Sequence, residues 1–326
     1  MDLTQRSRLG HSSVTVPRVG LGTAPLGGWP NAVSAAEARA TIEAAWDAGI
    51  RHFDTAPFYG HGLSEQHLGA VLPALDRSQF TISTKVGRLL VPGTVTDPLY
   101  EGVRPDIVPQ FDFSGAGVRK SLDASRQRLG IERIDVALIH DPDDHHEQAL
   151  RESYPVLADL RAAGAIGAIG VGMNWSEPLA RFAREADFDC FLLAGRYTLL
   201  EQGALDELMP AVTERGASIV VGGVLNSGVL VDPRPGATYN YAPAPDDVIA
   251  RAKALQAVCS EYGVPLRAAA MQFPLAHPRV ACAVLGARTP AEVADCVAML
   301  RLPIASELWV SLKERGLVRE DAPVPA

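Results

Sequence analysis

The runs VALIH at 136–140, AIGVG at 168–172 and FLLA at 191–194 decide the fold. Each is short and apolar, and each gives way to a helical segment before the next begins. That is the pattern of parallel strands joined by crossover helices. The alternation continues outward in both directions, with runs at 19–23, 52–55 and 80–85 before it and at 218–222 and 281–285 after it. Helix starts are marked locally. Ser34-Ala-Ala-Glu37 is a capping box, Ser176-Glu177-Pro178 opens the helix after the fifth run, and Thr289-Pro290-Ala291-Glu292 puts Pro at the first helical position. Gly49, Gly130, Gly164 and Gly216 mark helix ends.

Eight strand–helix units with no break in composition predict an α/β fold of the (β/α)8 TIM barrel class, as one domain over residues 1–326. A doubly wound sheet has about five or six such strands and a Gly-x-Gly-x-x-Gly turn after the first. Here the first strand leads into Gly22-Thr-Ala-Pro-Leu-Gly27-Gly28, which does not open a helix in that register. Residues 8–18 read as an N-terminal β-hairpin ahead of the barrel. The connections after strands three and seven, 87–113 and 223–245, are long enough to be functional lids. In a barrel such loops rise at the face that carries active sites.

Composition narrows the function. The 326 residues are 47% hydrophobic, which excludes intrinsic disorder, and a chain this long buries roughly three quarters of its unfolded surface. Thirty Lys and Arg against 38 Asp and Glu leave a formal charge of −8, and no basic run offsets it, so a nucleic-acid partner is not expected. Cys190, Cys259, Cys282 and Cys296 are scattered, as in reduced structural thiols. The N-terminus lacks the apolar core of a signal peptide, and the longest uncharged stretches are too short and broken for a membrane helix. A cytoplasmic protein is expected. Its oligomeric state is not legible.

Three neighbouring strands end in groups that carry protons or charge: Asp54, Lys85 and His140. Parallel neighbours lie ~4.8 Å apart, so these ends share one rim, and Tyr59 on the loop after Asp54 can fold back over it. A lysine ammonium near a phenol lowers its pKa, and an aspartate orients the lysine. A phenol so tuned is a proton donor or base, and a histidine can polarise a substrate oxygen, which is what hydride transfer to or from a carbonyl requires. The cluster His140-Asp-Pro-Asp-Asp-His145-His146 also offers metal ligands, but the chain has no His-x-His of the kind metal-dependent barrel hydrolases carry on their first strand, and no metal is expected.

These residues resemble the aldo-keto reductase superfamily, across nearly the whole chain from Val19-Gly-Leu-Gly-Thr to Thr289-Pro-Ala-Glu. The motifs that carry the resemblance are Phe53-Asp-Thr-Ala-Pro-Phe-Tyr-Gly60, Ser83-Thr-Lys85-Val-Gly and Leu138-Ile-His140. The resemblance implies Tyr59 as general acid/base, Lys85 and Asp54 as its tuning partners, and His140 as substrate orienter. It implies Asn174, in Ile169-Gly-Val-Gly-Met-Asn174, as holder of the nicotinamide carboxamide, and Asn226-Ser227-Gly228 as a pyrophosphate wrap. Thr23, Asp54, Gly286, Arg288 and Glu292 complete the implied cofactor set. Two positions depart from the pattern. The family's usual Gln on strand six is Ala194, and the Tyr that stacks on nicotinamide after strand seven is Gly222, so the ring must be held differently.

NADPH-using relatives place a Lys and an Arg where this chain has Gly286 and Glu292, with Arg288 the only cation nearby in sequence. The expectation is therefore NAD, with NADP as the alternative. Several stretches, among them Leu193-Ala-Gly-Arg-Tyr-Thr-Leu-Leu-Glu-Gln202 and Gln272-Phe-Pro-Leu-Ala-His-Pro278, are similar to bacterial NAD-dependent aldose 1-dehydrogenases of the L-fucose or D-threo-aldose type and their pyridoxal 4-dehydrogenase relatives. This implies oxidation of the anomeric hydroxyl of an aldose, also of the L-galactose type, to its lactone. Phe58, Asp141, Trp175 and Trp29 are the expected substrate contacts, with Tyr239 and Tyr241 either closing over the cofactor or packing the lid. The competing readings are a pyridoxal 4-dehydrogenase, an NADPH-dependent aldehyde or ketone reductase, and a nicotinamide-binding regulatory subunit.

Overall fold

A computed structural model describes residues 5–96, 99–100 and 102–326. Eight parallel strands close into a barrel: β1 (Val19–Gly22), β2 (His52–Asp54), β3 (Thr81–Val86), β4 (Ile134–His140), β5 (Ile166–Met173), β6 (Cys190–Ala194), β7 (Ser218–Gly222) and β8 (Val280–Gly286). Each pairs with the next in sequence, and β8 returns to β1 with Gly286 opposite Gly22. The eight runs read from the sequence are these strands, with ends that differ by at most two residues. The Ser34 box is complete in both directions, whereas Ser176 is the first residue of its helix and Trp175 its uncapped N-cap.

The barrel interior is apolar below and polar above. Val136, Leu138, Ala168, Cys190, Leu192, Val220, Cys282 and Val284 fill its lower layers. The hairpin formed by Arg6–Arg8 and Thr15–Pro17 seals the floor, burying Leu9, Val14 and Val16 against that cluster. Its Gly10 N–H bonds to Ser218 Oγ at the start of β7 at 3.0 Å, which places the plug at the N-terminal ends of the strands. A sealed floor leaves the C-terminal mouth as the open end, and the two long connections build their own structure there. In the first, Arg88–Pro92 and Ile107–Phe111 pair antiparallel. The second carries a ribbon, Thr238–Tyr239 against Ala242–Pro243. Its two turn residues, Asn240 and Tyr241, have φ of 49° and 64°, the left-handed pair that a two-residue hairpin turn demands. Among the described residues no helix is long and apolar enough to cross a membrane.

Candidate active site

Asp54 closes β2, Lys85 stands one residue before the end of β3, and His140 closes β4, so all three reach the same rim. Lys85 Nζ donates to Asp54 Oδ2 at 2.8 Å and to the Thr55 carbonyl at 2.9 Å. Ser83 Oγ donates to Asp54 Oδ1 at 2.6 Å, so both carboxylate oxygens are held. The ion pair is almost wholly buried, with side-chain exposures of 1% and 4%. A buried charge is tolerated only when paired and hydrogen-bonded, and each partner here meets that condition through the other.

Tyr59 is fixed by a close backbone crossing. A Cβ on Gly27 would lie 2.7 Å from Gly60 N, and one on Gly60 would lie 2.3 Å from Gly27 O, so only glycines let the first loop pass the Tyr59 loop. The phenol ring then lies with Lys85 Nζ 4.6 Å from its centroid and the His140 ring edge-on at 5.9 Å. Tyr100, from the long loop after β3, completes the wall at 6.3 Å. The structure thus brings Asp54, Tyr59, Lys85 and His140 together.

The electrostatics differ from expectation in one respect. Burial pushes the Tyr59 phenol well above the ordinary tyrosine value; Asp54, Tyr241 and Asp141 add to that, and Arg88 pulls it down. The lowering expected from Lys85 is not the net result. Its ammonium, 4.6 Å from the ring centroid, is paired with Asp54 at 2.8 Å, and burial together with the Asp54 charge outweighs it in the resting site. Burial, then Arg88 and Lys85, hold His140 well below the usual imidazole value, which leaves the ring neutral near pH 7. Its Nδ1 is buried with no hydrogen-bond partner among the described residues.

A cavity of about 420 Å³ opens beside this group. It runs from Asp54 and Tyr59 past Ala194, Gly222 and Ser227 to Gly228, Gly286, Arg288 and Glu292. A smaller one of about 190 Å³ shares its Ala194, Gly223, Ser227 and Tyr241 wall and holds Asn174, Trp175 and Asn226. Asn226 donates to the Gly195 carbonyl at 3.0 Å, while its Oδ1 is buried without a partner. Thr23 stands apart from the expected cofactor set. Its side chain is fully buried, donates to the Asp54 carbonyl at 2.8 Å and accepts from Ser64 Oγ at 2.7 Å, so it anchors the end of β2 and does not line the cavity.

Glu292 is not a full capping box. Its N–H bonds to Thr289 Oγ1 at 3.2 Å, but its carboxylate accepts from the Arg288 N–H at 2.8 Å and Arg288 Nη2 at 3.2 Å. Arg288 is therefore already paired. Gly286 has a steric reason as well: a Cβ there would sit 2.9 Å from Pro25 Cγ, so any side chain at this position requires a shift of the first loop.

Of the expected substrate contacts, Trp29 lines the larger cavity and meets Tyr241 edge-on at 5.3 Å. Trp175 lies in the smaller cavity, half exposed, with the Arg196 guanidinium 4.4 Å from its ring. Phe58 lines neither cavity; it packs edge-on against Tyr100 at 5.5 Å and His140 at 6.0 Å, behind the wall. Asp141 also lines neither cavity; it is paired with Arg88 at 2.7 Å beside His140, with 23% of its side chain exposed. Tyr239 donates to Glu201 at 2.6 Å and packs the lid, whereas Tyr241 faces both cavities. Sequence reasoning missed Arg88, Tyr100 and Arg196, which all sit in loops where no period marks the inward side. His145 and His146 pack on Phe113 and Phe182, at 5.0 and 4.1 Å, and no group of three metal-binding side chains occurs among the described residues.

Comparison with known proteins identifies the family. The model of the Aldo/keto reductase family matches residues 18–315. A D-threo-aldose 1-dehydrogenase from Pseudomonas sp is 42% identical over 317 residues, 94% of this chain and 96% of that one. A pyridoxal 4-dehydrogenase from Microbacterium luteolum is 42% identical over 337 residues, 97% and 98% of the two chains. Among solved structures, a glycerol dehydrogenase from Gluconobacter oxydans superposes with a TM-score of 0.75 at 25% identity, covering 100% of both chains.

Proposed function

Since this chain belongs to the aldo/keto reductase family and is an oxidoreductase, we propose that it is a single-domain, cytoplasmic NAD-dependent dehydrogenase that oxidises the anomeric hydroxyl of an aldose to the lactone. The observation that carries the reading is the cluster of Tyr59, Lys85, Asp54 and His140, of which Tyr59 and Asp54 line the same cavity as Arg288 and Glu292. The walls fit a dinucleotide: glycines at 22, 222, 223, 228 and 286 leave the backbone approachable, and Asn226 offers a buried, unpartnered carbonyl oxygen. NAD when bound supplies the hydride acceptor.

The chain's own residues handle the proton. Tyr59, as phenolate, takes it from the anomeric hydroxyl. The neutral His140 ring holds the same oxygen and orients the anomeric carbon. Lys85 compensates the phenolate charge, and Asp54 fixes the ammonium beneath the ring. Asn174, Asn226, Ser227 and Gly228 hold the nicotinamide half and pyrophosphate, and Trp29, Asp141 and Trp175 contact the sugar.

A buried phenol held high gives up its proton more readily as pH rises, so the phenolate fraction grows through the neutral and alkaline range. We expect log kcat/KM for oxidation to climb between pH ~7 and ~9. A flat profile, or an acid optimum, would remove Tyr59 from the role of base.

The coenzyme assignment rests on the Glu292 carboxylate in the cavity wall and on the pairing of Arg288 with it. A carboxylate there favours ribose hydroxyls and repels a phosphate. Initial rates over a panel of aldoses, simple alcohols and pyridoxal, with NAD⁺ and NADP⁺ in parallel, test both substrate and coenzyme. We expect NAD⁺ to be preferred, and Glu292→Arg to move the ratio of kcat/KM towards NADP⁺ by about tenfold or more. A wild-type preference for NADP⁺ would reverse the assignment.

A further inference from the structure

We propose that Asp141, held in place by Arg88, is a hydroxyl-recognition subsite that selects substrates with a second hydroxyl vicinal to the one oxidised. The inference rests on the reading above, in which the reacting oxygen sits on His140.

Asp141 follows His140 directly and holds a left-handed φ of 44°. Asp141 Oδ2 lies 3.5 Å from His140 Nε2. That is the outer edge of a hydrogen bond, and with a neutral ring it is not an ion pair. Both side chains keep some exposed surface, 7% for His140 and 23% for Asp141, and form an adjacent pair of recognition points. Their spacing suits the two oxygens of a vicinal diol, one on each point. An aldose carries such a neighbour to its anomeric hydroxyl, and a simple alcohol does not.

The carboxylate has capacity left. Among the described residues its side chain accepts one hydrogen bond, from Arg88 Nη2 at 2.7 Å, while an ionised carboxylate has about four lone-pair sites. Burial pushes Asp141 up to about 6 even with Arg88 beside it, so its charge is under-compensated in the free protein. The same charge adds to the raising of the Tyr59, Tyr100 and Tyr241 phenols. A hydroxyl donated by a ligand would supply the missing partner.

Arg88 is built to hold that carboxylate and not to reach solvent. Its guanidinium lies between the rings of Phe58 and Phe111, 4.2 and 4.7 Å from their centroids. It sits at the first position of the hairpin over the mouth, paired in register with Phe111. Arg88 is thus a positioning residue that acts through Asp141.

The test is binding to the NADH-loaded protein, read by fluorescence of the bound coenzyme, so that no turnover is needed. The probes are L-fucose and its analogue lacking the hydroxyl next to the anomeric carbon. Wild type should bind L-fucose about tenfold to a hundredfold more tightly, the range of a hydrogen bond to a charged group. In Asp141→Ala and Arg88→Met the ratio should fall towards one, whereas Arg88→Lys should keep part of it. In turnover, the loss should fall mainly on KM for L-fucose. Thermal unfolding of each variant controls for folding, and if Asp141→Ala does not fold, the Arg88→Met and Arg88→Lys pair decides. Equal binding of both sugars by wild type, or an undiminished ratio in the folded variants, overturns the proposal. Turnover without a binding ratio sinks this inference alone, and a ratio without turnover sinks only the assigned reaction.

Discussion

Tyr59→Phe is expected to lower kcat by about 10²- to 10⁴-fold, the range supplied by a positioned general acid or base, while leaving NAD⁺ affinity nearly unchanged. The substitution removes one oxygen and keeps the ring. The face over Lys85 and the edge contact to His140 are therefore retained, and the cavity keeps its shape. Fluorescence titration with NADH and steady-state rates separate the two quantities. Collapse of coenzyme binding with little change in kcat would mean that the phenol serves the cofactor and not the proton.

Lys85→Met should cost both stability and rate. The ammonium is the buried partner of Asp54, and removing one member of such a pair leaves an uncompensated charge worth about 3–5 kcal/mol. The stranded carboxylate also pushes the phenol further up, and a charge at this range moves a pKa by about one to three units, so kcat should fall about tenfold to a thousandfold. Adding Asp54→Asn removes the stranded charge. The double variant should regain most of the lost stability in urea titration yet stay slow, because no cation remains to balance a phenolate. Equal stability of single and double variants would contradict the buried-pair account.

Most of the barrel and the four convergent side chains were legible because both follow from period. Strands alternate with helices along the whole chain, and strand ends share a rim, so Asp54, Lys85 and His140 could be placed together without coordinates. Direction was harder. Thr23 sits at the right height, yet its hydroxyl turns into the wall to hold the Asp54 carbonyl. Lys85 is near the phenol, but its charge is already matched by Asp54, which the sequence cannot weigh against burial. Arg88 was hidden for another reason: it reaches the mouth on a loop that folds into its own small ribbon, and loop residues carry no periodic sign of facing inward. The fit of Gly286 against Pro25 is a contact between distant parts of the chain and has no local signature at all.

In the proposed reaction the anomeric carbon gives up hydride to NAD⁺ while Tyr59 takes the proton. The most direct measurement uses L-fucose deuterated at the anomeric carbon, with NAD⁺ and mass analysis of both products. Deuterium should appear on the reduced nicotinamide, the lactone should be free of it, and Tyr59→Phe should nearly abolish the transfer. Deuterium retained in the sugar product, or reduced coenzyme formed without label, would contradict that reaction.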